Sequence, residues 1–247
     1  MEPPIVVAII PAFNEESSLP LVLADIPDHV VDQVVVVDNA STDRTSEVAR
    51  EFGAIVVHEP RRGYGSACLA GVSRARELGA DIYLFLDADY SDHPEESERI
   101  IREITENGAT LVIGSRSRGR REPGAMPPQA IFGNWLATRL IRIIWGVRYT
   151  DLGPFRAITS EGFERIGMVD TTFGWTVEMQ AKGARLGVRS AEVPISYRRR
   201  IGKSKISGTL LGSIRAGYII LLTIARVALT PRDRVGPRRD RRGGAGR

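Results

Sequence analysis

An α/β fold with a mostly parallel sheet is predicted by three features of this chain. Short apolar runs rich in Val and Ile alternate with helix-length segments from Ile5 to Gly114. The run Gln33–Asp38 (QVVVVD) is apolar through its middle, as a strand covered on both faces must be. Each run also ends in a polar loop, and a parallel sheet binds its ligands beyond the carboxyl ends of its strands.

The elements follow in order. Ile5–Ile10 (IVVAII) is a strand by its β-branched content, and no basic residue precedes it, so it is not expected to be a leader peptide. A short helix is expected around 17–26. The second strand is Gln33–Asp38, and a helix follows over Thr42–Phe52, with Ser41 or Thr42 as N-cap and Gly53 as stop. Ala54–His58 is a third strand, and residues 65–78 are a helix ending near Gly79. Asp81–Leu86 and Thr110–Gly114 are the fourth and fifth strands, joined by a helix from about Pro94 to Glu106. Strand–helix–strand spacing of this kind makes the sheet mostly parallel.

The second half reads differently. Residues 117–128 form a basic, Gly/Pro-rich loop containing Arg118, Arg120 and Arg121. Ile131–Gly146 is an amphipathic helix in which Trp135, Leu136, Leu140, Ile143 and Ile144 are expected on one face, beside Arg139 and Arg142. Such a face suits either a core or a membrane interface. Thr209–Leu229 is a second apolar segment, but its uninterrupted stretch between Arg215 and Arg226 is ten residues. A bilayer span needs about 20. A catalytic domain is expected over 1–208, a C-terminal amphipathic helix over 209–230 and a disordered basic tail over 231–247.

Composition bounds the function. The chain has 247 residues, 43% hydrophobic and 26% charged, enough for a sizeable core. Its one cysteine, Cys68, rules out an internal disulfide and fits a reducing compartment. The net charge of +4 is more than accounted for by seven Arg against two Asp from Pro231 to Arg247. Positive charge confined to a tail fits an anionic membrane surface and does not predict a nucleic-acid partner. His58 and His93 lack a metal-ligand spacing and are expected to be structural or superficial.

The loops after the strands carry the chemistry. They are Pro11–Glu16, Asp38–Asp43, Glu59–Gly65, Asp87–Ser91 and Ser115–Arg118, rich in acids, amides and arginines. Asp87 and Asp89 end a buried strand one residue apart, where like charges repel unless a cation sits between them. A divalent metal shared with a substrate diphosphate resolves that conflict.

Seven motifs in this order resemble the family 2 glycosyltransferases of the GT-A fold, a Rossmann-like nucleotide-diphospho-sugar transferase architecture. They are VAIIPAFNEE (Val7–Glu16), VVDNASTDRT (Val36–Thr45), RGYG (Arg62–Gly65), LDADYSDHPE (Leu86–Glu95), IGSR (Ile113–Arg116), DLGPFR (Asp151–Arg156) and GKSK (Gly202–Lys205). Within that family the chain is most similar to the polyprenyl-phosphate (dolichyl-phosphate) mannose and glucose synthases. The resemblance implies a nucleotide-sugar site at Pro11, Ala12, Asn14, Glu15, Asp38, Asn39, Gly65 and Asp87. It implies Mg²⁺ or Mn²⁺ on Asp87 and Asp89, with Ser91 where relatives often carry Gln. Arg116, Arg156, Arg200, Lys203 and Lys205 become acceptor-phosphate contacts, and Asp89, Arg116 and Glu178 the catalytic set. The expected reaction is inverting transfer of a hexose from UDP-glucose or GDP-mannose to a polyprenyl monophosphate, by a peripheral protein on the cytoplasmic membrane face. An acceptor of that kind arrives ionised and needs cations more than a base. The alternatives are a soluble or protein hydroxyl acceptor, with Glu178 as base, and a nucleotide-sugar-binding module without catalysis. The sequence leaves the oligomeric state open.

Overall fold

The computed structural model describes residues 3–202 and 210–231, the side chains of 210–216 excepted. The basic tail and the lysine pair Lys203 and Lys205 lie outside the described residues.

The five expected strands form as β1 (Val6–Ala12), β2 (Gln33–Asp38), β3 (Ile55–His58), β4 (Ile82–Phe85) and β5 (Leu111–Ser115). Two more join them, β6 (Arg156–Thr159) and β7 (Ser190–Pro194), in a sheet ordered β3-β2-β1-β4-β6-β5-β7. β1 pairs in parallel with β2 and β4, β2 with β3, and β5 with β7. β6 runs antiparallel between β4 and β5. The sheet is therefore mostly parallel, with one reversed strand inside it.

The helices are α1 (Leu19–Ala24), α2 (Thr45–Glu51), α3 (Tyr64–Glu77), α4 (Ser97–Thr105), α5 (Pro128–Trp145), α6 (Ser160–Ile166), α7 (Trp175–Arg185) and α8 (Leu210–Leu229). A 3₁₀ turn over Pro94–Glu96 precedes α4, with Pro94 at its first position, where the missing N–H has no intrahelical partner to lose. Strand residues alternate between two cores. Val7, Ile9, Val35, Val37 and Phe85 meet α3, α5, α7 and α8, while Val6, Ala8, Ile10, Val36 and Leu84 meet α1, α2 and α4.

α8 packs along α5 and α7, with Thr223, Ile224 and Val227 buried. Its last carbonyls, those of Val227, Ala228 and Thr230, accept hydrogen bonds from the Arg185 guanidinium. That cation meets the orphan acceptors at the negative end of the helix. Among the described residues, no helix is long and apolar enough to cross a membrane.

Candidate active site

The carboxyl ends of β1, β2 and β4 open into a cleft of about 550 Å³. Its floor and rim include Pro11, Ala12, Glu15, Asn39, Asp87, Asp89 and Arg200, all expected from the sequence. They also include residues the motif reading did not assign, namely Phe13, Arg62, Tyr64, Thr172, Phe173 and Ile219. Arg62 stacks on the Phe13 ring at 3.5 Å and donates to the Ala40 carbonyl. This cation–π pair makes one wall of the cleft.

The RGYG segment owes its glycines to close backbone packing. A Cβ on Gly65 would lie 2.1 Å from the Asp170 carbonyl oxygen, and one on Gly63 would lie 2.2 Å from that of Thr171. The Gly65 and Ser66 amides donate to the Thr172 and Thr171 carbonyls, at 3.2 and 3.0 Å. The orphan N–H groups of α3 are thus spent on the 170–173 loop, which brings Thr172 and Phe173 to the cleft. Gly65 itself does not line it; its part is to let that loop approach.

In the acidic centre Asp87 and Asp92 are poorly supplied with donors, while Asp89 is well supplied. The Tyr64 hydroxyl donates to Asp87 Oδ1 at 3.2 Å. Asp89 Oδ2 lies 2.7 Å from Arg200 Nη1. Asp92 is buried behind them, with Oδ1 lacking any hydrogen-bond partner. Burial first, and then Asp89, raise the Asp87 carboxyl to about 6. Burial, Asp87 and Asp89 together push Asp92 well above the usual carboxylate range. Charge of this density with an orphaned oxygen fits a divalent cation. No group of three His, Cys, Asp or Glu side chains able to hold a metal occurs among the described residues. Asp87 and Asp89 therefore suit a hard cation that takes its remaining oxygens from a phosphate ligand, as Mg²⁺ does.

The loop bearing these acids is held by Arg198. Its guanidinium stacks on the Tyr90 ring at 3.3 Å and donates to the carbonyls of Tyr90 and Asp92. The Arg198 and Ile201 amides donate to the carbonyls of Ser91 and Asp89. That backbone pairing carries Arg200 to Asp89.

Several expected contacts lie elsewhere. Ser91 is 1% exposed and its Oγ donates to Asp89 Oδ1 at 2.5 Å, so the hydroxyl braces the carboxylate instead of facing the cleft. Tyr90, at φ 62°, makes the turn that folds it back. Asp38 accepts from the Ser41 amide and the Ser46 hydroxyl, at 2.8 and 2.7 Å. Burial opposes its ionisation, but these bonds prevail and hold the carboxyl below its ordinary range. Asn14 accepts from the Thr42 amide at 2.7 Å and joins the two loops from behind. Asn39 reaches the cleft with its amide engaged by the Glu59 and Arg61 carbonyls and the Gly63 amide.

Arg156 is corrected from an acceptor contact to a core residue. It is 0% exposed and donates to the carbonyls of Leu152, Gly153 and Thr176 and to Gln180 Oε1. The reversed strand β6 starts at this residue and turns it inward. Glu178 is likewise no free base. It is 3% exposed, pairs with Lys182 at 2.8 Å and accepts from the amides of Val169 and Asp170. Arg116 forms a two-pronged pair with Asp151, at 3.0 and 2.6 Å, so its charge is largely neutralised by the segment between α5 and β6.

The sequence matches the family described as Glycosyl transferase family 2 over residues 7–167. An uncharacterised glycosyltransferase of Mycobacterium tuberculosis is 40% identical over 215 residues, covering 85% of this chain and 94% of the relative. An undecaprenyl-phosphate mannosyltransferase of Micrococcus luteus is 35% identical over 223 residues, 84% of this chain and 89% of the relative. Among solved structures, glucosyl-3-phosphoglycerate synthase of Mycobacterium tuberculosis, crystallised with Mn²⁺, UDP-glucose and phosphoglyceric acid, superposes with a TM-score of 0.72. The match covers 92% of this chain and 81% of that one at 22% identity, and shows a shared GT-A fold. On the profile match and the near full-length similarity to these relatives, the chain belongs to glycosyl transferase family 2.

Proposed function

We propose that this glycosyltransferase moves a hexose from UDP-glucose or GDP-mannose to a polyprenyl monophosphate, at the cytoplasmic face of a membrane and with inversion. The observation that carries this reading is the burial of Glu178 in its pair with Lys182, away from the cleft. A hydroxyl acceptor needs a base there, whereas a phosphate monoester arrives as a nucleophile. The Micrococcus luteus relative supports the same acceptor class, as does a dolichyl-phosphate N-acetylglucosaminyltransferase of Methanococcus voltae. The latter is 29% identical over 161 residues, 58% of this chain and 64% of the relative.

In this reading an acceptor phosphate oxygen attacks the anomeric carbon, and the bond from that carbon to the nucleoside diphosphate breaks. Asp87 and Asp89 would hold Mg²⁺ or Mn²⁺, which offsets charge on the departing diphosphate. Arg200 supplies a guanidinium for phosphate oxygens on the same side. The Phe13–Arg62 wall and Asn39 bound the nucleoside end.

The test is transfer of radiolabel from UDP-glucose or GDP-mannose into the organic phase, with Mn²⁺ and a short polyprenyl phosphate. Label that vanishes in Asp89→Ala is expected. Donor binding with no organic-phase label for either sugar overturns the acceptor.

A further inference from the structure

α5 buries only one narrow stripe, Asn134, Ala137, Thr138 and Ile141, at the spacing of a single helix face. The face expected from the sequence over Trp135, Leu136, Leu140, Ile143 and Ile144 is split. Leu140 packs on the core, while Trp135 (57%), Ile143 (68%) and Ile144 are exposed. The flanking Trp145 and Phe132 divide in the same way, Trp145 on the core and Phe132 61% exposed. Phe132 and Trp135 lie against each other, with ring centres 5.9 Å apart. Beside them runs a groove of about 450 Å³ with Trp135 on its wall. Four arginines line it: Arg139 and Arg142 from α5, Arg121 from the basic loop and Arg148 from the segment after α5.

No carboxylate among the described residues forms an ion pair with any of these four arginines. Among the described residues, the side-chain hydrogen bond of Arg121 goes to the Met126 sulfur, at 3.5 Å. By contrast, Arg116, one residue from the groove-lining Ser117, is fully paired with Asp151. Among the described residues the groove is thus a concentration of guanidinium forks without a carboxylate partner, bordered by outward aromatic rings. Guanidinium forks match phosphate oxygens, and exposed Trp beside Arg suits the headgroup level of a bilayer.

We infer that this groove is a docking site for the phosphate headgroup of an anionic membrane phospholipid, with Phe132 and Trp135 entering the interface beside it. Charge complementarity selects the occupant, since a zwitterionic surface offers no net charge to four arginines that have no carboxylate partner among the described residues. The inference rests on the polyprenyl-phosphate reading above, because an enzyme of a lipid acceptor must work at a bilayer. It assigns the membrane contact to a site outside the donor cleft.

The test uses the full chain and vesicles of phosphatidylcholine with phosphatidylglycerol, against phosphatidylcholine alone, both free of polyprenyl phosphate. The wild type sediments with the anionic vesicles, and Arg139→Glu/Arg142→Glu weakens that binding by at least roughly 25-fold, about fivefold for each of the two positive charges lost, with repulsion from the two new carboxylates in addition. Trp135→Ala weakens it too. Transfer to a short, water-soluble polyprenyl phosphate stays within about twofold of wild type in these variants, which also shows that they fold. Unchanged sedimentation of the double variant overturns the inference. So does a matching rise in KM for the short acceptor, which would make the groove the acceptor's own phosphate site. If Arg139→Glu/Arg142→Glu misfolds, Arg139→Gln/Arg142→Gln carries the same comparison. Groove-dependent vesicle binding without transfer to any polyprenyl phosphate sinks the acceptor reading and leaves the docking site standing. Transfer without such binding does the reverse.

Discussion

Arg200 and Asp89 form an ion pair at the mouth of the cleft, Nη1 to Oδ2 at 2.7 Å, so the carboxylate best suited to a metal is already shared with a side chain. A divalent cation and Arg200 compete for that oxygen. Arg200→Ala is expected to bind Mn²⁺ about three- to tenfold more tightly without donor, since a charge-assisted contact on a partly exposed pair is lost. Its kcat/KM for transfer is expected to fall in the same variant. Calorimetric titration of Mn²⁺ against both proteins, beside donor kinetics, separates the two effects.

Asp87 sets a pH dependence. Its carboxyl is raised to about 6, so in the metal-free protein its proton favours the folded state. That contribution is fully present below the unfolded value near 4 and is lost as pH rises through about 6. A divalent cation takes the proton's place. The rise in melting temperature on adding Mn²⁺ is therefore expected to be small near pH 5 and to grow towards about pH 7.5. A scanning fluorimetry series at fixed Mn²⁺ checks this, and a constant rise across that range contradicts it.

Glu178→Gln separates structure from catalysis. The substitution leaves Lys182, whose side chain is 10% exposed, without its carboxylate. Loss of one partner of a buried pair costs about 3 kcal/mol. The expected variant melts earlier yet keeps a near-normal kcat at a temperature where it is folded. Normal stability with turnover abolished would restore Glu178 as a base and favour a hydroxyl acceptor.

Gly65→Ala tests the approach of the 170–173 loop. The new Cβ meets the Asp170 carbonyl oxygen at 2.1 Å, and backbone must move to admit it. A loss of about 3 kcal/mol is expected, the upper end of overpacking costs. Because Thr172 and Phe173 line the cleft, donor KM should rise as well. Denaturant melts and donor kinetics measure both.

The parallel half of the fold was legible because β1 to β5 are β-branched runs with helices between them. β6 and β7 were not. β6 is four residues, RAIT, and opens on an arginine whose donors are satisfied by backbone carbonyls inside the core. β7 is half-exposed and carries Glu192, so neither its composition nor its alternation marks it. At the site, Asp87, Asp89 and Asn39 could be found by their place after strands. Arg156, Glu178 and Asp38 share residue type with functional groups, but only the three-dimensional partners reveal that their charges are used internally. Phe173 and Ile219 reach the cleft from the loop before α7 and from α8, far along the chain from the motifs, and no local signal marks them.

The ionised acceptor is the central claim, and competition between two acceptors of equal length tests it most directly. Polyprenyl phosphate and the corresponding polyprenol would be offered together with labelled donor and Mn²⁺, and the lipid products separated. Label on the phosphate alone, at a rate little changed in Glu178→Gln, is the predicted result. Label on the polyprenol, or on neither lipid while a soluble acceptor is glycosylated, would contradict the account.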